Sequence, residues 1–469
     1  MSTVLTQDQS THQLLSRISF GPTREELARA ARLGFHAYLE EQLRPDSIAD
    51  DDVEKRVAGL KTMRLSSSEL FKLYPPPRLS KQPGMADGQA MAGPRFVIFE
   101  LQQARLLRAA YSRRQLYEVM VDFWSNHFNI FAAKGADRWL ITSYDRDTIR
   151  PHVLGKFGDI LRATAQSPAM LFYLDNWLSA SPSAAARFGP NNFKRGLNEN
   201  YAREIMELHT IGVDGGYSQQ DVHEVARCFT GWTIRRPRGQ AEFVFEPRIH
   251  DDGEKVVLNN RIPAGGGMDD GLRVIDILAS HPATARFIAT KLARRFVSDD
   301  PPSTSVDRAA AVFRQTDGDI SAVLRSLITA PEFSSAAAYR TKMKKPLEFV
   351  ASALRATGAQ TEVTPQLMRY LGRMGEPLFL AQPPTGYPDS SASWISADML
   401  LTRMNFASDL VNNRIPGSRV EPERTSDVES FASVFVPGGL SVATRAALNG
   451  VEGRQALALL LAAPEFQRR

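Results

Sequence analysis

The sequence predicts a mainly α fold: a single large multi-helix domain with a short β-hairpin and one Pro/Gly-rich insertion. Apolar residues recur at helical spacing through most of the chain, whereas strand-like patterning is confined to two short segments. The length of 469 residues and the 43% hydrophobic content allow a sizeable core. One family-like unit over residues 1–469 is therefore expected.

Thr23 and Glu26 form a capping-box pattern that opens a helix from Arg24 to Leu33, and Gly34 supplies its stop. A second helix runs through Leu43. Residues 74–93 are dense in Pro, Gly and small polar residues, the composition of an exposed insertion able to move. Longer helices are predicted at 96–112, 114–131, 147–166, 199–211, 219–230, 270–280 and 283–297. Others follow at 305–314, 318–329, 343–356, 364–373, 394–412 and 441–462. Phe243 to Phe245 and Lys255 to Leu258 are expected to pair as one hairpin around His250, Asp251, Asp252 and Gly253. Leu324 to Phe333 echoes Leu457 to Phe466, each a helix followed by a Pro-initiated turn whose Phe packs back. Two copies without a fixed period do not make a solenoid.

The 57 basic and 52 acidic residues give a net charge of +5. That excess is spread along the chain, with short runs only at Arg235 to Arg238 and Lys342 to Lys345. Without a nucleic-acid-binding motif this reads as a weakly basic surface, and nucleic acid is not an expected partner. A single cysteine, Cys228, excludes an internal disulfide framework and Cys-rich metal sites. No apolar signal core is visible near the N-terminus, and no run of about 18 apolar residues occurs. The default expectation is a cytoplasmic protein without a transmembrane segment, with export alongside a partner or a trimmed chain as the alternative.

Helical phase separates ordinary surface charge from misplaced charge. Glu199, Asn200, Arg203 and Glu207 share a polar arc, and the i,i+4 pairs Glu199–Arg203 and Arg203–Glu207 stabilise a helix by roughly 0.2–0.5 kcal/mol each. Glu204 falls instead near Tyr201, Leu208 and Ile211, where a carboxylate needs a partner or a proton. His209 falls between Ile205 and Ala202. In the 114–131 helix, Glu118, Asp122, Ser125, Asn126 and Asn129 form the polar arc, and His127 lies among Leu116, Met120, Phe123 and Phe131. A lone histidine on an apolar face is more often a hydrogen-bonded core residue than a ligand.

Ser218 and Asp221 read as a helix cap, and Cys228 as an inert core thiol. Asp175 and Asn176 follow the apolar run Met170 to Leu174 and either end a helix or present polar groups near Asn198. His250 and Asp251 with Lys255 form a turn or a substrate contact. The loop Gln382 to Pro388 leads to Trp394, either lining a pocket or packing as a Pro-rich turn. Walker A, strand-associated GxGxxG, HExxH and GxSxG motifs are absent, which argues against nucleotide chemistry and elbow-type serine hydrolysis.

Seven stretches carry a resemblance. They are HQLLSRISFGP (His12 to Pro22), FWSNHF (Phe123 to Phe128), NENYAREIMELH (Asn198 to His209) and GVDGGY (Gly212 to Tyr217). The others are ARCFTGW (Ala226 to Trp232), His250-Asp251 with Lys255, and QPPTGYP (Gln382 to Pro388). With them the chain resembles a widespread bacterial family, the domain of unknown function 1800 family, over nearly its whole length. The resemblance implies one helical unit and no established activity. It also implies a sulfatase-like protein encoded nearby as a partner, and export signals in many members.

Three functions compete. The first is an enzyme, such as a hydrolase, using carboxylate/histidine acid–base chemistry on a polar substrate, of which a carbohydrate is one kind. Its candidate catalytic residues are Glu204, His127, His209, Asp175 and Asp122. Arg203, Asn198, Asn200, Asn126, Asn176, His250, Asp251, Lys255 and Trp394 are candidates for substrate binding. The second is a metal-dependent enzyme with His127, Glu204 and His209 as ligands, although a spacing of five between the last two suits one helix face poorly. The third is a non-catalytic assembly or binding protein acting with the sulfatase-like partner. The sequence identifies neither metal nor cofactor.

Overall fold

The computed structural model describes residues 5–76, 93–187, 196–423, 428–436 and 438–469. At its centre is the Pro346–Thr357 helix, buried at every residue. Pro346 occupies its first turn and Gly358, at φ 63°, accepts the left-handed conformation that ends it. The Gly93–Tyr111 helix packs along it and in turn contacts Asp137–Ser143. Around this pair lie Pro282–Phe296 against Ser303–Gln315, Asp269–Ser280 against Phe157–Ala165, and Ala397–Val411 against Gly453–Ala462. One hydrophobic core runs continuously from Leu14 to Phe466. The fold is thus mainly α, and strands occur among the described residues only as short antiparallel pairs.

Local signals account for many boundaries. Thr23 and Glu26 make the expected capping box on Arg24–Leu33, Ser218 and Asp221 make another on Gln219–Cys228, and Gly34 ends its helix at φ 83°. Phe333 and Phe466, the ends of the echoed segments, are both buried.

Other expectations need correction. The 147–166 helix is broken: a wide π-turn at Tyr144–Ile149 and a tight turn at Arg150–His152 precede Phe157–Ala165. Pro151 removes a backbone donor there. The 441–462 helix splits into Val442–Leu448 and Gly453–Ala462 because Gly450 and Gly453 adopt positive φ. The 394–412 helix starts only at Ala397, capped by Ser396.

The single expected hairpin is two hairpins. Glu242–Phe245 pairs with Trp232–Arg235, and Lys255–Val257 pairs with Asn260–Ile262. The second closes through Leu258 and Asn259, both at positive φ (47° and 63°), the geometry that suits a two-residue loop. The segment between the hairpins is pulled inward by a long-range ionic contact described below. Residues 77–92, most of the expected insertion, lie outside the described residues. No helix among the described residues is long and apolar enough to cross a membrane.

Candidate active-site crevice

The Gln115–His127 helix has two faces of different character. Leu116, Val119, Met120, Phe123 and Trp124 fill the core, while Asp122, Ser125 and Asn126, with Asn129 just beyond the helix, line a crevice. Arg105, on the neighbouring Gly93–Tyr111 helix, joins the elements of one wall. Its Nη2 donates to Asp145 (2.6 Å) and Ser125 Oγ (2.8 Å), and its Nη1 donates to Asp122 (3.2 Å). Arg150 extends the chain of alternating charges, bonding Asp145 at 3.0 Å and Glu118 at 2.9 and 2.8 Å. Burial disfavours the ionised form of Asp145, but Arg150 and Arg105 outweigh it and hold the carboxyl down at about 2.

Lys345, Glu376, Phe379 and Tyr387 form the opposite wall. Glu376 is only 4% exposed and accepts the backbone N–H of Leu347 at 2.8 Å. Burial first, and then the charge of Asp122, push its carboxyl up to about 8 despite the nearby Lys345 ammonium. Lys345 pairs with Asp389 at 3.0 Å. Burial works against its charge, but Asp389, Glu376 and Asp122 more than compensate, so its protonated form is favoured. The crevice therefore places a proton-bearing carboxyl beside a carboxylate bonded to arginine. Its volume is about 40 Å³, against the roughly 10–15 Å³ that one water needs. It admits a few waters or the end of a polar group. Asp122, 19% exposed, lies toward the mouth.

The 381–387 loop is fastened to the same helix. Asn126 accepts the N–H of Tyr387 at 2.7 Å and donates to its carbonyl at 2.9 Å, while Asn129 donates to the carbonyls of Ala381 (3.1 Å) and Pro383 (2.9 Å). Trp394 is buried behind this loop, donating to the Pro388 carbonyl at 3.2 Å, and does not line the crevice.

Of the residues singled out from sequence, Asp122 and Asn126 meet in the crevice. His127 and His209 meet elsewhere, with ring centroids 6.0 Å apart in an aromatic cluster with Phe128. His127 Nε2 donates to the His209 carbonyl at 3.0 Å. Burial, followed by the Lys291 charge, holds His209 down at about 3 and His127 well below its ordinary value, so both rings are neutral. Glu204 is half-buried, and burial, then Glu207, raises its carboxyl, with Arg203 opposing. It does not line the crevice. Among the described residues no three His, Cys, Asp or Glu side chains form a group able to hold a metal, so His127, Glu204 and His209 are not a ligand set.

The remaining candidates have structural partners. Asp175, 45% exposed, pairs with Lys134 at 2.9 Å. Arg203 lies between Glu199 (3.7 Å) and Glu207 (3.4 Å), the expected ladder. Asn198 caps the Glu199–Glu204 helix, Asn200 donates to Leu174, and Asn176 donates to the carbonyls of Phe229 and Trp232. His250 and Lys255 converge on buried Asp270 at 3.2 and 2.6 Å, and Asp251 takes a forked contact from Arg227. This ionic knot separates the two hairpins.

Sequence reading missed Glu376, Lys345, Arg105 and Asp145. Arg105 had a signal, a cation between apolar turns of its helix. Lys345 sat in a run read as a surface patch, yet Lys342, Lys344 and Lys345 are all buried.

A largely helical unit with a buried ionic crevice defines the class of protein. The chain belongs to the family described as protein of unknown function (DUF1800), whose model matches residues 13–468. No curated protein and no solved structure matches the chain.

Proposed function

We propose that the chain is an enzyme using carboxylate acid–base chemistry on a polar substrate, such as a carbohydrate, that presents a small group to the crevice. The observation carrying this reading is Glu376, buried at 4% exposure, in the same cavity as Asp122, which Arg105 holds. A buried carboxyl pushed upward by its surroundings, sharing a crevice with a carboxylate bonded to arginine, is the pairing that acid and base roles require. Glu376 donates the proton to a leaving group, and Asp122, held by Arg105, activates a water. Lys345 offsets negative charge. The cavity is far smaller than the roughly 300–1,000 Å³ of a pocket that engulfs its ligand, so only the reacting end enters.

The test is turnover of chromogenic glycosides, esters, phosphate esters and sulfate esters between pH 6 and 9. Wild type turns over at least one class, with the rate falling above pH 8 as Glu376 ionises. Glu376→Gln and Asp122→Asn each lose about 10²-fold or more. No turnover by wild type, or equal turnover by both variants, overturns the proposal.

A second reading, an assembly protein acting with a sulfatase-like partner, draws on Ile395, Leu401 and Met404. Ile395 is exposed just before the Ala397–Val411 helix, and Leu401 and Met404 are exposed within its first eight residues. Crevice variants that lack any effect on turnover favour it.

A further inference from the structure

The Gly93–Tyr111 helix that carries Arg105 bears a second arginine, Arg108, nearly one turn further on, and this one lines a different cleft. That cleft, of about 550 Å³, lies between this helix, the Asp51–Ala58 helix and the Lys61–Arg64 turn, and it shares no lining residue with the crevice. Its size falls within the roughly 300–1,000 Å³ of small-molecule sites. Hydrogen bonds within the protein fix the walls. Buried Glu100 accepts the Thr62 N–H at 2.7 Å, and Arg146 Nη1 donates to the carbonyls of Met63 (2.9 Å) and Leu65 (3.1 Å). The other two nitrogens of Arg146 donate to Asp147, at 2.7 Å each, so this guanidinium is committed to the wall.

Arg108 is not. It is partly buried, yet it donates no hydrogen bond and forms no ion pair among the described residues. Glu118 and Asp145 attract it, but each of their four oxygens already accepts from Arg105 or Arg150, at 2.6 to 3.0 Å. The donors of Arg108 are therefore left for whatever occupies the cleft. Val57, Ala58 and Met63 make part of the lining apolar. Exposed Lys55 and Arg64 add positive charge to it, and exposed Asp51 and Glu54 add negative charge.

We infer that this cleft binds a small monocarboxylate on an apolar body, with its two oxygens on the Arg108 guanidinium and its body over Val57, Ala58 and Met63. A planar carboxylate matches two parallel guanidinium donors. Water also satisfies those donors, but only an amphiphilic acid removes the apolar lining from solvent as well. Asp51 and Glu54 oppose a second negative charge, which disfavours a phosphate dianion.

The probe for this chemistry is para-bromobenzoate, compared with neutral para-bromobenzamide and with inorganic phosphate. Calorimetric titration of the full chain should give a Kd on the order of 1 mM or tighter for the acid. The amide and phosphate should bind more weakly by about 10-fold or more. Arg108→Met should weaken the acid by a similar factor, and Arg108→Lys by less, because the charge stays while the fork is lost. Exposed Arg273→Ala should leave binding unchanged. If Arg108→Met does not fold, Ala58→Glu, at an exposed position, should abolish binding by placing a carboxylate beside the apolar lining. In crystals soaked with the probe, bromine should give an anomalous peak over Val57 and Met63. The inference is overturned by an acid that does not bind or binds no better than its amide, by phosphate binding more tightly than the acid, or by unchanged affinity in Arg108→Met or Ala58→Glu.

Discussion

Glu376 shows how a single carboxyl couples the crevice to stability. Its carboxyl is pushed from an ordinary 4.5 up to about 8, so between those values the folded chain keeps a proton that the unfolded chain has released. Stability is therefore greatest, with respect to this group, below pH 4.5 and declines as pH rises toward 8. Glu376→Gln can still accept the Leu347 N–H but has no proton to lose. The variant should match wild type near pH 5 and exceed it by on the order of 3 kcal/mol near pH 8. Urea unfolding of both proteins at pH 5, 6.5 and 8 measures this, and parallel curves would remove Glu376 from the account. At this scale the sequence was legible in part. Helical phase put Asp122 and Asn126 together on one arc, and both line the crevice. The same phase drew attention to His127 and His209, because it reports burial but not partners: a main-chain carbonyl answers His127. Glu376 and Lys345 reach Asp122 only through folding of segments more than two hundred residues away.

Between elements, the decisive contact is the clamp of the Gln115–His127 helix on the 381–387 loop. Gly386 has φ 70°, and a Cβ there would stand 2.5 Å from both the backbone oxygen and Oδ1 of Asn126. Gly386→Ala must therefore strain the backbone and push the loop off Asn126 together. A loss of about 2 kcal/mol or more is expected, with Tyr387 displaced from the crevice wall. Urea unfolding gives the energy, and quenching of the adjacent Trp394 fluorescence by acrylamide should increase. Unchanged stability and quenching would mean that the clamp is dispensable. Element boundaries were legible where a side chain caps its own helix, as Thr23 and Ser218 do. They were not legible where distant groups intervene. The 199–211 helix gives way to a π-turn at Ile205–His209, followed by Thr210, whose hydroxyl donates to the Ile205 carbonyl. The predicted hairpin failed because Asp270 draws in His250 and Lys255.

Across the whole molecule, Glu348 binds together parts of the chain that periodicity alone could not connect. It lies in the central helix and forms ion pairs with Arg295 of Pro282–Phe296 (2.9 Å) and Arg469 (3.0 Å), with all three side chains buried. Burial alone would raise its carboxyl, but Arg469, Arg295 and Lys345 outweigh that and hold it at about 2. The sign is opposite to that of Glu376. The stabilisation is present above pH 4.5 and disappears as pH falls toward 2. Glu348→Ala leaves Arg295 and Arg469 buried without their shared anion, next to Arg17 and Lys342, which also repel Arg469 or one another. Removing one partner of such a buried pair costs about 3–5 kcal/mol. Glu348→Gln retains some hydrogen bonding, so it should be less damaging at pH 7 and should flatten the acid limb of the stability curve. Urea unfolding at pH 7, 4 and 3 distinguishes these effects: the gap between wild type and Glu348→Gln must close as pH drops. A gap that stays constant would mean that Glu348 acts by packing. A variant as stable as wild type at pH 7 would mean that another anion balances the cations at this junction.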